Sequence, residues 1–159
     1  MSAHTKVHWL SRDQQDVWRA YFEVTAMLAQ RLDADLRAHG LDLAEYEILV
    51  RLSEAEEHRQ RMSELADAVR QSRSRLTHTV ARMEKENLIE RATCPSDRRG
   101  VWAQLTAAGT AKLVEAAPCH VTGVRANFID PVDPGDLEAV GRAFAAVLAN
   151  QKCHVSAQS

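Results

Sequence analysis

Residues 71–106 read QSRSRLTHTVARMEKENLIERATCPSDRRGVWAQLT. The stretch changes period part-way along. Leu76, Val80 and Met83 recur at helical spacing, which predicts a helix over 72–87 with Ser72 or Ser74 as its N-cap. Asn87 stands where a helix end wants a left-handed residue, a conformation asparagine tolerates better than most side chains. Two runs of strand type follow, LIERATC (88–94) and VWAQLT (101–106). In the second, Val101, Ala103 and Leu105 alternate with Trp102 and Gln104. Pro95 and Gly100 bracket the loop between them, so a hairpin is expected with Asp97, Arg98 and Arg99 at the tip of a 95–100 wing.

Upstream, MSELADAVR (62–70) reads as a short helix capped by Ser63, and HRQR (58–61) as a polar connector before it. A short helix, a turn and a second helix make a helix-turn-helix. LDLAEYEILVRLSEAEE (41–57) is another helix, with Asp42 as N-cap and Glu45 three residues on as in a capping box. From Arg12 to His39 the apolar residues Val17, Tyr21, Val24, Leu28, Leu32 and Leu36 step by three and four, and Trp18 and Phe22 widen the stripe. So wide a stripe predicts burial against a second chain. Gly40 closes this helix. Downstream, Thr106 is expected to cap a helix that Pro118 breaks or kinks. CHVTGVRANFI resumes it, DPVDPGD (130–136) turns, and Leu137, Val140, Phe144, Val147 and Leu148 mark a last amphipathic helix.

The chain has 159 residues, 45% of them hydrophobic and 26% charged, as in a soluble globular protein. No apolar run approaches the roughly 20 residues that span a bilayer. The polar N-terminus carries no secretory pattern, so a cytoplasmic location is expected. There Cys94, Cys119 and Cys153 are expected as free thiols. His4, His8, His120, Cys153 and His154 match no metal-ligand spacing, and neither a metal nor a cofactor is expected. Motifs for nucleophilic, phosphate-binding, metalloprotease or dinucleotide chemistry are missing, which argues against an enzyme.

Net charge is −2, but unevenly spread. Residues 13–57 hold four Lys/Arg against eleven Asp/Glu, whereas residues 70–99 hold eight against four. A local basic patch of that kind suits a polyanion. On helix 72–87 the side away from Leu76, Val80 and Met83 carries Ser72, Arg73, Ser74, Arg75, Thr77, His78 and Arg82, all able to donate to base edges or phosphates. No acid interrupts it before Glu84. A helix of that length fits a major groove about 12 Å wide. An arginine-tipped hairpin beside it suits the narrow, negative minor groove.

The run LADAVRQSRSRLTHTVARMEKENLIERATCPSDRRGVWAQLTAAG (65–109) resembles the MarR family of bacterial transcriptional regulators, most specifically in SRLTHTVARMEKENLIER and DRRGVWAQLTAAG. The long flanking helices, with AAPCHVTGVR (116–125), are similar to that family less specifically; Asn87 replaces its usual glycine. The resemblance implies a mainly α fold with a small β-hairpin wing. In it a winged helix-turn-helix lobe (41–106) is flanked by a dimerisation region (1–40 and 107–159). It implies a homodimer bound to a near-palindromic operator in double-stranded DNA, acting as a repressor and released by a small ligand or by oxidation. In the wing, Asp97 would steady Arg99 in the minor groove while Arg98 meets backbone. Trp18, Tyr21, Phe22 and Tyr46, with Trp9, could line a pocket for an aromatic ligand or could be dimer packing. Two other readings are a redox-responsive regulator acting through a cysteine, Cys119 foremost, and a winged-helix protein-interaction module.

Overall fold

The computed structural model describes the backbone of residues 7–94 and 97–156, and their side chains except those of 94, 97–99 and 151–156. The chain divides into two compact units, residues 1–120 and 121–159.

The first unit opens with α1 (Arg12–Arg37), started by a capping box in which Ser11 Oγ accepts from the Gln14 N–H and Gln14 Oε1 accepts from the Ser11 N–H. α2 (Leu43–Glu54) starts the same way from Asp42 and Glu45, as the sequence predicts. A short 3-10 turn leads to β1 (Arg59–Arg61), then α3 (Met62–Ala68), α4 (Arg73–Lys85), β2 (Ile89–Cys94), β3 (Asp97–Leu105) and α5 (Ala107–Val124). The antiparallel sheet has the order β1–β3–β2. The fully buried side chains of Leu36, Leu49, Leu52, Leu65, Leu76 and Ile89 lie in one core beneath it. Burying each such side chain is worth about 1.5–3 kcal/mol.

Three helices of this unit end in the same way. After α1, α3 and α4 the chain turns through a left-handed residue: Gly40 at φ 71°, Arg70 at 53° and Asn87 at 59°. In each case the next N–H reaches back to the last turn: Leu41 to Leu36 O, Gln71 to Ala66 O and Leu88 to Met83 O. That closure satisfies carbonyls that would otherwise lack partners, and it brings Leu41 and Leu88 back onto the core. Thr106 then joins two ends. Its hydroxyl donates to Asn87 O at 2.7 Å and accepts from the Gly109 N–H at 2.9 Å, so it caps α5 and ties it to the end of α4.

Four local expectations are corrected. HRQR is not merely a connector: Arg59, Gln60 and Arg61 pair with Gln104, Ala103 and Trp102 of β3. Ser63 is not the cap of α3, which starts at Met62 from an extended Arg61 with no side-chain cap bond. The hairpin loop is shorter than 95–100, because β3 begins at Asp97 opposite Cys94; Pro95 and Ser96 lie outside the described residues. Pro118 does not break α5, which runs unbroken past it. The proline removes one hydrogen bond, the one to the carbonyl of Val114, on an exposed stretch where water can take its place.

The second unit holds the end of α5, one π-helical turn (Arg125–Ile129) and α6 (Pro134–Ser156). The Asp130 N–H bonds Arg125 O at 2.8 Å, five residues back, and the two side chains pair at 2.7 Å. α6 starts three residues before the apolar series suggests. Pro134 occupies its first position, where a missing N–H costs nothing, and Asp133 accepts from the Gly135 N–H at 2.8 Å.

Two predictions follow from these joints. A Cβ on Gly109 would lie 2.1 Å from Leu88 O and 2.7 Å from Leu105 Cδ1. Gly109→Ala should therefore cost about 1–3 kcal/mol in urea unfolding by overpacking; an unchanged midpoint would contradict this close approach. Asp33 of α1 accepts from the Leu43 N–H at 3.0 Å and from Arg37 at 2.9 Å. The Leu43 bond chiefly, with Arg37, holds its carboxyl below the ordinary value of 3.8. The stabilisation is thus fully present above pH about 4 and is lost as pH falls through the lowered folded value. Asp33→Asn should cost about 1 kcal/mol at pH 7, and the gap to wild type should close below pH about 4.

Candidate nucleic-acid interface

α4 is built to leave one side free. Leu76, Val80 and Met83 have no exposed surface, and Thr79 beside them turns its hydroxyl inward to Arg75 O at 3.1 Å. The opposite side is open: Ser72, Arg73, Ser74, Arg75, Thr77 and His78 are all exposed. Ser72, not Ser74, is the N-cap, and its Oγ accepts from the Arg75 N–H at 3.2 Å. Thr77 donates to Arg73 O at 2.8 Å, which orients its hydroxyl and leaves the oxygen able to accept. Among the described residues neither Arg73 nor Arg75 meets a carboxylate, and no acid stands in the first turn. The N-terminal turn and a half therefore combines two cations with the positive end of the helix dipole.

Further along α4 the charges are engaged. Glu84, the first acid of the helix, is held by Arg91 of β2 at 2.6 and 3.0 Å, and these bonds keep its carboxyl below the usual range. Arg82 differs from the other basic residues expected on this face. Its Nε donates to Glu45 Oε1 at 2.7 Å and its terminal nitrogen to Asp42 Oδ2 at 2.9 Å. Those bonds, Glu45's first, raise its already high pKa. The other two oxygens of the same carboxylates accept the Glu45 and Asp42 backbone N–H groups at 2.8 and 2.9 Å.

Backbone pairing in the wing places Thr93 opposite Val101 and Cys94 opposite Asp97. Arg98, Arg99 and Gly100 are therefore extra residues on β3, a bulge in the hairpin. The side chains of Asp97, Arg98 and Arg99, and so the orienting role expected of Asp97, lie outside the described residues.

β1 adds cations that a search of residues 70–99 misses. Arg59 and Arg61 lie 5.1 and 5.5 Å from the Trp102 ring centre, on the outward side of the sheet, and Arg59 also pairs with Glu57. The signal is a cross-strand pairing, which a polar tripeptide does not advertise.

Within one chain the four candidate aromatic residues are not brought together. Trp18, Tyr21 and Phe22 stack on one another along α1 with ring centres 4.5–5.9 Å apart, all exposed. Tyr46 is buried in the core against His120, ring centres 4.4 Å apart. Phe22 precedes Leu36, where α1 enters that core, by four helical turns, roughly 20 Å. His120 makes no hydrogen bond through its buried Nδ1, and burial lowers its pKa. Cys119 is half-buried, with Sγ 3.8 Å from Asp35 O.

Comparison with known proteins agrees with this geometry. A family model described as MarR family matches residues 41–101. AbsC, a MarR family transcriptional regulator from Streptomyces coelicolor, is 44% identical, with 92% of this chain and 99% of that one aligned and a TM-score of 0.86. Sco3205, a MarR family transcriptional regulator from the same organism solved in complex with DNA, is 38% identical over 92% of each chain, with a TM-score of 0.87. The transcriptional repressor MprA of Escherichia coli (strain K12) is 31% identical over 100 residues, 63% of this chain and 57% of that protein.

Proposed function

The chain belongs to the MarR family of transcriptional regulators, and from that premise we propose that it is a homodimeric repressor that binds a near-palindromic operator and is released by a small ligand. The observation that carries the DNA reading is the open, acid-free start of α4. Arg73, Ser74, Arg75, Thr77 and His78 enter the major groove from it, while Ser72 and the helix N-terminus meet phosphate. The wing reaches the minor groove with Arg99, and Arg98 meets the backbone. The DNA complex of Sco3205, at 38% identity, supports this use of the shared fold. Repression is supported by the name of the relative MprA.

The dimer reading is supported by apolar surface that a monomer leaves in water. On α1, Val17, Trp18, Tyr21, Phe22 and Val24 are exposed, Val17 by 71% and Phe22 by 55%. α6 exposes Phe144, Val147 and Leu148. Contiguous apolar faces of this kind mark association surfaces. A twofold dimer presents two α4 helices to half-sites about one helical turn of DNA apart, and so reads a near-palindrome. No helix of the described residues is long and apolar enough to cross a membrane.

Fluorescence anisotropy on the DNA upstream of the gene, with a scrambled duplex as control, tests the DNA reading. Neutralising about eight phosphates per dimer should give a log–log salt slope near −7. Arg99→Ala should weaken binding by about 1–3 kcal/mol with unchanged thermal unfolding; full affinity in that variant would refute the wing's role. A protein-interaction module would instead bind neither duplex, even at low salt. For the dimer, Trp18→Glu combined with Phe22→Glu should halve the mass seen in sedimentation equilibrium, and a wild type that already sediments as a monomer would sink it.

A further inference from the structure

Arg82 stands apart from the other arginines of α4. It lies seven residues beyond Arg75, two helical turns or roughly 10 Å from the end that meets the bases. Two of its five N–H donors already have acceptors. One goes to Glu45, which is only 4% exposed, and one to Asp42, so that each of the four oxygens of these carboxylates has one partner. Turning those two donors toward DNA would leave a buried carboxylate without its cation, which is costly.

The rest of the seat of α4 is apolar. Leu76, Val80 and Met83 hold the helix down, but apolar burial has no direction and tolerates some rolling and sliding. A guanidinium bonded to two carboxylates of a different helix does have direction. From Arg82 to Arg73 is nine residues, so a tilt of about 10° at the clamp moves the first turn by roughly 2 Å. Side chains that read base edges need placement within about 0.5 Å.

We propose that Arg82 is a positioning residue for DNA recognition: it clamps α4 to the capping box of α2, fixes where Arg73, Arg75, Thr77 and His78 meet the bases, and does not itself touch DNA. This rests on the regulator reading above. It predicts that selectivity, more than charge, is lost when the clamp is opened.

The test uses a duplex enriched from a random library by the wild-type protein, with a scrambled duplex beside it, titrated by anisotropy over a range of salt. Asp42→Asn combined with Glu45→Gln keeps both helix caps and removes only the charges that Arg82 holds. Affinity for the enriched duplex relative to the scrambled one should fall roughly tenfold or more, as for the loss of one good base contact. The ratio is the readout, because losing four acidic charges per dimer tightens binding to any duplex. Arg82→Gln should give the same loss, and adding it to the double variant should cost little more, because both open one clamp. If Arg82 contacts phosphate, the opposite follows: the double variant tightens both duplexes by the same factor and keeps its selectivity, and Arg82→Gln shallows the slope by about two per dimer. Either result overturns the proposal, as does unchanged selectivity in every variant. Should Arg82→Gln fail to fold, the double variant decides alone. A wild type that enriches no duplex overturns the regulator reading and this one with it; a wild type that binds selectively beside an equally selective double variant overturns only the clamp.

Discussion

The lobe turns on one guanidinium. Arg82 of α4 closes on Asp42 and Glu45, the two residues that start α2. Removing one partner of a fully buried pair typically costs about 3–5 kcal/mol, and solvent screening of the half-exposed arginine brings this pair below that range. Its greater effect is geometric. The capping box could form in an isolated α2, since Asp42 and Glu45 satisfy each other's backbone. Arg82 adds the one feature a capping box lacks, a fixed relation to another helix. Asp33 acts on the same site from the other side, accepting from Leu43, the first residue of α2. The start of α2 is thus bonded both to the helix with the exposed apolar stripe and to the helix with the exposed cations.

Around that site the chain spends its awkward conformations on direction. Gly40, Arg70 and Asn87 all adopt positive φ, and only one of them is glycine. A non-glycine residue pays for that conformation, yet each one ends a helix, and Gly40 and Asn87 send the next leucine back onto the core. Thr106 then bonds the end of α4 to the start of α5. The Gly109 backbone lies so close to Leu88 that a side chain has no room there. The exposed face of α4 is therefore held by its two ends and its back, with nothing needed on the front.

What was legible in the sequence was whatever local chemistry determines. The periodicity of Leu76, Val80 and Met83, the Asp42–Glu45 box, the left-handed Asn87 and the Thr106 cap all involve residues within a few positions of each other, and all are present. What was not legible is non-local. Arg59–Arg61 has no strand character of its own and becomes a strand because β3 offers an edge. Arg82 sits on the helix where a base-reading cation could sit, and only the fold brings Glu45, 37 residues earlier, to within 2.7 Å of it. Tyr46 shares an aromatic composition with Trp18 and Phe22, but the length of α1 separates them. Pro118 reads in the sequence as a break or kink because the missing donor is visible there, whereas the turns on either side that carry α5 past it are not.

The same bonds explain how a chain of net charge −2 can present a cationic face. Its acids outnumber its bases, and several lie close to α4 in the fold. Glu84 is neutralised by Arg91, and Asp42 and Glu45 share Arg82. Arg91 thus cancels Glu84, and Arg82 cancels one of the two charges on Asp42 and Glu45. At the start of the helix Arg73 and Arg75 meet no carboxylate among the described residues, beside the positive end of the helix dipole. The positive potential there is a product of where charges are cancelled, not of how many there are. A count of residues 70–99 credits Arg82 and Arg91 to the basic patch, although both are engaged with carboxylates. On this account the interface depends on internal ion pairs as much as on exposed arginines, and removing an internal cation should change what α4 can face as well as where it points.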